Sequence, residues 1–205
     1  MLLRVIAGLS RADGGEVWIA GTHDPTAEGW GRRMAYLGPD PGLYTWMTPI
    51  EALHLSGKLL NLPPDDTARR VERAIEWVRI SEASASRPMS RGGVALQQRT
   101  GLAAALIGDP EVILLDEPLR ALEAHERSRL LKLPGQRRTM IFASRYPASE
   151  AGLVAQVAFL REGRVELIAP VGALDRAKLP LSHAGIAALA EMKAAGANGR
   201  NAASA

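Results

Sequence analysis

The run Val112-Ile113-Leu114-Leu115, followed at once by Asp116-Glu117, constrains this chain more than any other feature in it. Four consecutive aliphatic residues show no alternation, the pattern of a strand buried on both faces of a parallel sheet. Parallel strands need crossover connections, so such a strand calls for helices on both sides of the sheet. Two adjacent carboxylates then emerge at the strand's C-terminal end, where open α/β sheets bind their ligands. In a phosphate-handling site the first carboxylate holds Mg2+, usually through water, and the second polarises an attacking water. An acidic turn after a strand is the plainer reading of the same residues.

The rest of the pattern agrees with an α/β class. Leu2, Leu3, Val5 and Ile6 read as the buried face of a helix stopped by Gly8, with the turn Arg11-Ala12-Asp13-Gly14-Gly15 after it. Glu16 to Ala20 and Met34 to Leu37 read as strands. Thr48-Pro49-Ile50-Glu51 predicts a helix start with a capping box, running to about Leu60 before the break at Pro63-Pro64. A second helix is expected from Asp66 to Arg79, then a loop from Ser81 to Met89 and a long helix to Ile107. A helix from about Glu123 to Leu133 leads to Thr139–Ala143, a second strand of the doubly buried kind. Val157 to Ala169 predicts a hairpin, and the Ala/Gly/Asn/Ser stretch from about Gly196 a frayed tail.

Composition removes several classes. None of the 205 residues is Cys, which excludes disulfides, thiolate zinc sites and a Cys nucleophile. The four histidines, His23, His54, His125 and His183, are too dispersed for a local zinc motif, and His54 and His125 read as surface residues. A net charge of +3 with 4 % aromatic residues gives neither the basic stripe nor the stacking platform of a nucleic-acid binder. Arg69-Arg70 and Arg137-Arg138 read as solvated faces. No apolar run approaches the roughly 20 residues of a membrane-spanning helix.

Gln98-Arg99 precedes Asp116, with Leu102-Ala103-Ala104-Ala105-Leu106 and Gly108-Asp109-Pro110-Glu111 between them. That layout resembles the ATP-binding-cassette (ABC) nucleotide-binding subunits, in which a signature helix leads into the Walker B strand. Leu2 to Leu9 with Gly14-Gly15-Glu16-Val17 is similar to the helix and strand after that family's phosphate loop. Met34 to Leu55 is similar to its Q-loop entry, and Val157 to Ala169 to its closing strands. The resemblance covers roughly residues 1–170. It implies a P-loop NTPase-type parallel sheet with flanking helices and an inserted α-helical subdomain, the first strands and phosphate loop missing. The divisions expected are 1–43 and 107–170 for an incomplete α/β core, 44–106 for the helical subdomain and 171–205 for a C-terminal extension with a flexible tail.

Carried onto this sequence, the family's roles give Asp116 as the Mg2+ residue, acting through water, and Glu117 as general base. Ser90, Gly92 and Gly93 become the signature that contacts nucleotide in trans. Pro39 stands at the Q-loop glutamine position, Glu123 at the D-loop aspartate and Arg145 at the switch histidine. Trp46 and Met47 fall where a membrane subunit docks, or in subdomain packing. Ser90 lies eight residues before Gln98 against the family's five, a spacing that an extra N-terminal turn absorbs. No G-x-x-x-x-G-K-[ST] loop is present; the Gly57-Lys58 pair has Ala52 and Leu59 in the wrong places.

The implied cofactors are ATP and Mg2+. The implied partners are a second nucleotide-binding cassette and integral membrane permease subunits, with the chain cytoplasmic and peripheral on the inner face of the membrane. The region around Tyr44 leans toward exporter-type cassettes. The chain as written is expected to hydrolyse ATP weakly or not at all. Three readings follow: an ATPase subunit whose true start lies upstream of Met1, a non-catalytic cassette acting as an interaction or regulatory partner, and a decayed fragment.

Overall fold

In the computed structural model, which describes residues 1–19, 21, 23, 33–132, 138–145 and 147–202, the chain divides into two compact units, Met1–Ser144 and Arg145–Ala205. In the first unit, β2 (Val112–Asp116) is the middle strand of a three-stranded parallel sheet. Its neighbours are β1 (Met34–Leu37) and β3 (Thr139–Ala143). Ile113, Leu114 and Leu115 are fully buried, as the unbroken aliphatic run requires. β3 departs from expectation. It is the edge strand of the described sheet, and Thr139, Ile141 and Ala143 alternate outward to solvent. Its five residues are as apolar as those of β2, but burial is decided by neighbours distant in sequence.

Helix α1 (Leu2–Ile6) ends where Gly8 takes a left-handed φ of 71°, its N–H on the Val5 carbonyl and that of Leu9 on Arg4. Its buried face is narrower than predicted. Leu3 joins Ile19, Met34 and Leu114 in one core cluster, whereas Leu2 is 47 % exposed. The strand expected at Glu16 to Ala20 is reduced to a single bridge position at Ile19, and Ala20 lies outside the described residues.

Five α-helices follow among the described residues of the same unit. α2 (Pro49–Leu59) carries the predicted capping box: Glu51 N–H donates to Thr48 Oγ1 and Thr48 N–H to the Glu51 carboxylate. α3 (Pro64–Trp77) starts two residues earlier than expected, because Pro64 occupies a first helical position, where no N–H is needed. The predicted loop after it holds a short helix, α4 (Glu82–Ala85), whose cap Ser81 accepts from the Ser84 N–H. α5 (Gly93–Leu106) precedes β2. α6 (Ala124–Leu131) precedes β3, and the predicted end at Leu133 lies outside the described residues.

Two arginines predicted to be solvated instead have partners, one on backbone and one on a carboxylate. Arg70 donates to the Ile107 carbonyl at 3.0 Å and to Asp66, whose carboxyl it holds below the usual range. Arg138 is mostly buried and pairs with Asp109, while burial lowers the pKa of its guanidinium. Arg137 lies outside the described residues.

Gly57 lets α2 and α3 approach. A Cβ there would sit 2.4 Å from Thr67 Cγ2 and 2.9 Å from its Oγ1, and Thr67 is buried. Overpacking of this kind costs about 1–3 kcal/mol. Gly57→Ala is therefore expected to lower the urea midpoint. Adding Thr67→Ser, which removes the crowding methyl, should recover part of the loss; no recovery would place the strain elsewhere.

The described residues of the second unit form a 3-10 helix (Pro147–Leu153), a hairpin and two α-helices. β4 (Gln156–Arg161) and β5 (Arg164–Pro170) pair antiparallel across Glu162-Gly163, both at positive φ (50° and 77°) as a type I′ turn demands. Leu167 and Ala169 pack with Leu174 of α7 (Gly172–Arg176) and with Ile186, Leu189 and Ala190 of α8 (His183–Ala202). The helix continues to Ala202, past the Gly196 at which a frayed tail was expected.

Candidate functional site

The carboxylates stand where the strand pattern put them. Asp116 is the last residue of β2, and Glu117 follows with a left-handed φ of 48°. Such a φ is uncommon for a residue with a side chain. It is held by the sheet, because Glu117 N–H donates to the Ala143 carbonyl of β3 at 3.0 Å. The chain therefore turns sharply at the C-terminal edge of the sheet, and Leu119 (φ 58°) repeats the left-handed conformation. Both carboxylates are half-buried.

Tyr36 completes this end of the sheet, and the sequence reading did not single it out. Its hydroxyl donates to Asp116 Oδ2 at 3.4 Å, across 80 residues of sequence. Partial burial and then the Asp116 charge raise the phenol's pKa, and Arg4, a second partner of the hydroxyl, opposes them. The signal available in the sequence was strand register alone: Tyr36 pairs with Leu114, two residues before Asp116. Pro39 follows β1 at the same end of the sheet, half-buried.

The residues expected to form the signature lie on another element. Met89–Arg91 is a 3-10 turn and α5 starts only at Gly93, which has a left-handed φ of 70°. Ser90, Gly92 and Gly93 are exposed, and no side chain caps α5. A Cβ on Gly92 would sit 2.1 Å from Leu96 Cδ2, so the turn needs glycine there.

Gln98 joins the two regions. It is 2 % exposed, and its Oε1 accepts the Ala121 N–H at 2.9 Å, fixing the segment that follows the carboxylates. Glu123 ends that segment, exposed, as the residue before α6. Arg145 is exposed beyond β3, at the start of the second unit. His54 and His125 are exposed, as read from the sequence.

Among the described residues no group of three or more His, Cys, Asp or Glu could cage a metal. The donor set fits a Mg2+ ion of the kind that keeps most of its waters and leans on one carboxylate plus phosphates. Also among the described residues, no helix is long and apolar enough to cross a membrane.

Comparisons with known proteins agree with this geometry. An ABC transporter ATP-binding protein of Nostoc sp. PCC 7120 is 32 % identical over 180 residues, 85 % of this chain and 52 % of the relative. The taurine import ATP-binding protein TauB of Mesorhizobium japonicum is 35 % identical over 63 % of this chain and 49 % of its own length. The chain thus spans about half the length of these relatives. Among solved structures, the ATP-binding cassette MJ0796, a dimer bound to ADP and Pi, superposes with a TM-score of 0.73 at 18 % identity. That match covers 83 % of this chain and 79 % of the other. The protein cbiO1 of Clostridium perfringens, part of the ABC transporter complex cbiONQ, gives 0.71 at 21 % identity, covering 86 % and 74 %. The ABC transporter family model matches residues 1–120, more than half of the 205-residue chain. With the carboxylate pair at the end of β2 and the glycine turn opening α5, the chain belongs to the ABC transporter family.

Proposed function

We propose that this chain couples ATP binding and hydrolysis to import, together with a second cassette and integral membrane permease subunits. Its principal contribution is a signature loop offered in trans, with weak ATP turnover of its own. The observation that carries this reading is the start of α5. Ser90, Gly92 and Gly93 are exposed there, the helix has no side-chain cap, and its first turn has no acidic residue. Uncapped N–H groups at the positive end of a helix dipole suit a phosphate presented by another subunit.

In this reading residues 44–106 form the helical subdomain, and residues 1–43 and 107–170 the core. Asp116 holds Mg2+ through water, which neutralises phosphate charge when bound, while Tyr36 occupies the carboxylate's other side. Glu117 accepts a proton from the attacking water. Pro39 offers neither an amide side chain nor an N–H at the Q-loop position, and Arg145 brings a fixed positive charge to the switch position. Both substitutions support weak turnover.

Import is favoured over the exporter leaning of the Tyr44 region because relatives are named as taurine and sulfate/thiosulfate import proteins. The partners place the chain on the cytoplasmic face of the membrane. Exposure of Trp46, 69 %, supports its docking role against subdomain packing.

The test is Mg2+-dependent ATPase activity of the chain alone and of the transporter assembled with its partners. The chain alone should turn over near background, with Glu117→Gln removing what remains. The assembled complex should lose about tenfold or more in kcat on Gly93→Asp, because the added carboxylate repels phosphate at the helix N-terminus and the left-handed φ of 70° disfavours a side chain. A chain that co-purifies with neither cassette nor permease, and alters no ATPase rate, would sink the reading.

A further inference from the structure

The signature turn is held by more than its own hydrogen bonds, which run from Arg91 N–H to the Pro88 carbonyl and from Gly92 N–H to the Met89 carbonyl, both at 3.0 Å. Its backbone is pinned to a second turn, Tyr44–Met47, which closes through Met47 N–H to the Tyr44 carbonyl at 2.9 Å. From this turn the Met47 carbonyl accepts the Met89 N–H at 2.9 Å, and the Thr45 carbonyl accepts the Ser90 N–H at 2.8 Å. The fixing is one-sided. Met89 is fully buried, whereas Ser90 and the glycines beyond it are exposed, and a Cβ on Gly93 would meet nothing within 4 Å. Ser90 is thus oriented by the buried Met89 behind it and by the turn beside it.

The turn itself is built unusually. Its two aromatic side chains, Tyr44 and Trp46, are 59 % and 69 % exposed, so they add little to the core. They stack on each other instead, with ring centroids 5.7 Å apart and planes inclined by 30°. Residues one apart on either side of Thr45 can stack this way only while the turn keeps its shape. The stack therefore stabilises the turn, and the turn presents the two carbonyls that hold Met89 and Ser90.

We infer that the Tyr44–Trp46 stack is a positioning device for the signature loop, acting through the Thr45 and Met47 carbonyls. This deepens the trans role proposed for Ser90, Gly92 and Gly93 and rests on that reading for its functional meaning. Tyr44 and Trp46 touch no phosphate in this scheme. They set the angle at which Ser90 and the following glycines are offered. Whatever leans on the exposed aromatic pair is mechanically connected to the signature loop by two hydrogen bonds.

The experiment is residue-resolved amide hydrogen exchange on the full chain, comparing wild type with Trp46→Ala, Tyr44→Ala and Trp46→Phe. Exchange reports local opening, and an aromatic pair adds a stabilisation equivalent to about threefold to tenfold in an opening equilibrium. Exchange at Met89 and Ser90 should therefore rise by about that factor in either alanine variant. Leu102, deep in α5, should be unchanged, and Trp46→Phe, which keeps a ring to stack, should restore most of the protection. Unchanged exchange at Met89 and Ser90 would overturn the inference. So would an equal rise at Leu102, because that is general loosening. Failure of the trans reading looks different: Gly93→Asp would leave the assembled transporter's ATPase untouched while the exchange pattern stood.

Discussion

Arg99→Ala is expected to destabilise the first unit by about 3 kcal/mol, the low end of the range for breaking a buried ion pair because Glu126 keeps some contact with water. The reason lies at the C-terminus of α3. There Arg79 takes a left-handed φ of 55°, and the N–H groups of Arg79 and Ile80 return to the Glu76 and Ile75 carbonyls. That closure satisfies two of the helix's last acceptors and leaves Trp77 and Val78. Arg129 donates to the Trp77 carbonyl at 2.9 Å and Arg99 to the Val78 carbonyl at 2.8 Å. Arg99 also pairs with Glu126, so one guanidinium ties α3, α5 and α6 together. Its side chain is 14 % exposed, and Val78 is fully buried. Truncation orphans a buried carbonyl and an anion at once.

Arg99→Lys should recover only part of the loss, since an ammonium is a point charge and not a fork. The pH dependence gives an independent check. The hydrogen bond from Arg99 holds the Glu126 carboxyl below its usual pKa. A depressed native pKa means stability that is complete above the ordinary glutamate range, about 4.3. It is lost as pH falls through the lower native value. Urea midpoints followed by far-ultraviolet circular dichroism should show wild type losing this increment in acid, and Glu126→Gln and Arg99→Ala lacking it. An Arg99→Ala midpoint no lower than that of exposed Arg69→Ala would refute the account.

These contacts mark where the sequence stops being readable. Thr48-Pro49-Ile50-Glu51 was legible because a capping box closes within four residues, and both of its hydrogen bonds form. Asp116 and Glu117 were legible because the strand that positions them is continuous with them. Tyr36 was not, since its partner is 80 residues away and nothing local distinguishes it from another strand aromatic. Arg70 and Arg138 carry charges that periodicity assigns to solvent. Their partners, the Ile107 carbonyl and Asp109, are set by how helices meet strands. Gln98 was noticed for its place in the signature helix. Its hold on the Ala121 N–H, which carries the link from that helix to the carboxylate loop, exists only in three dimensions.

The same distinction decides the effect of trimming the sheet. Leu114→Ala is expected to cost about 2–5 kcal/mol, the range for a buried leucine whose surroundings relax incompletely. Leu114 is fully buried and packs with Leu3, Ile19 and Met34, so the void opens between β2, β1 and α1. Ile141 stands opposite it on β3 but is 42 % exposed, and Ile141→Ala should cost under about 1.5 kcal/mol because water already replaces part of its packing. Two strands with nearly the same composition thus give different answers, because one has neighbours on both sides in the described sheet and the other has one. Urea melts of the two variants would measure the difference, with the denaturant slope unchanged if both remain cooperative. Equal losses would mean that β3 is covered as fully as β2. The void also bears on the site, because Leu114 pairs with Tyr36, whose hydroxyl holds Asp116. Leu114→Ala should therefore loosen the Asp116 carboxylate as well as the fold, whereas Ile141→Ala should leave it in place.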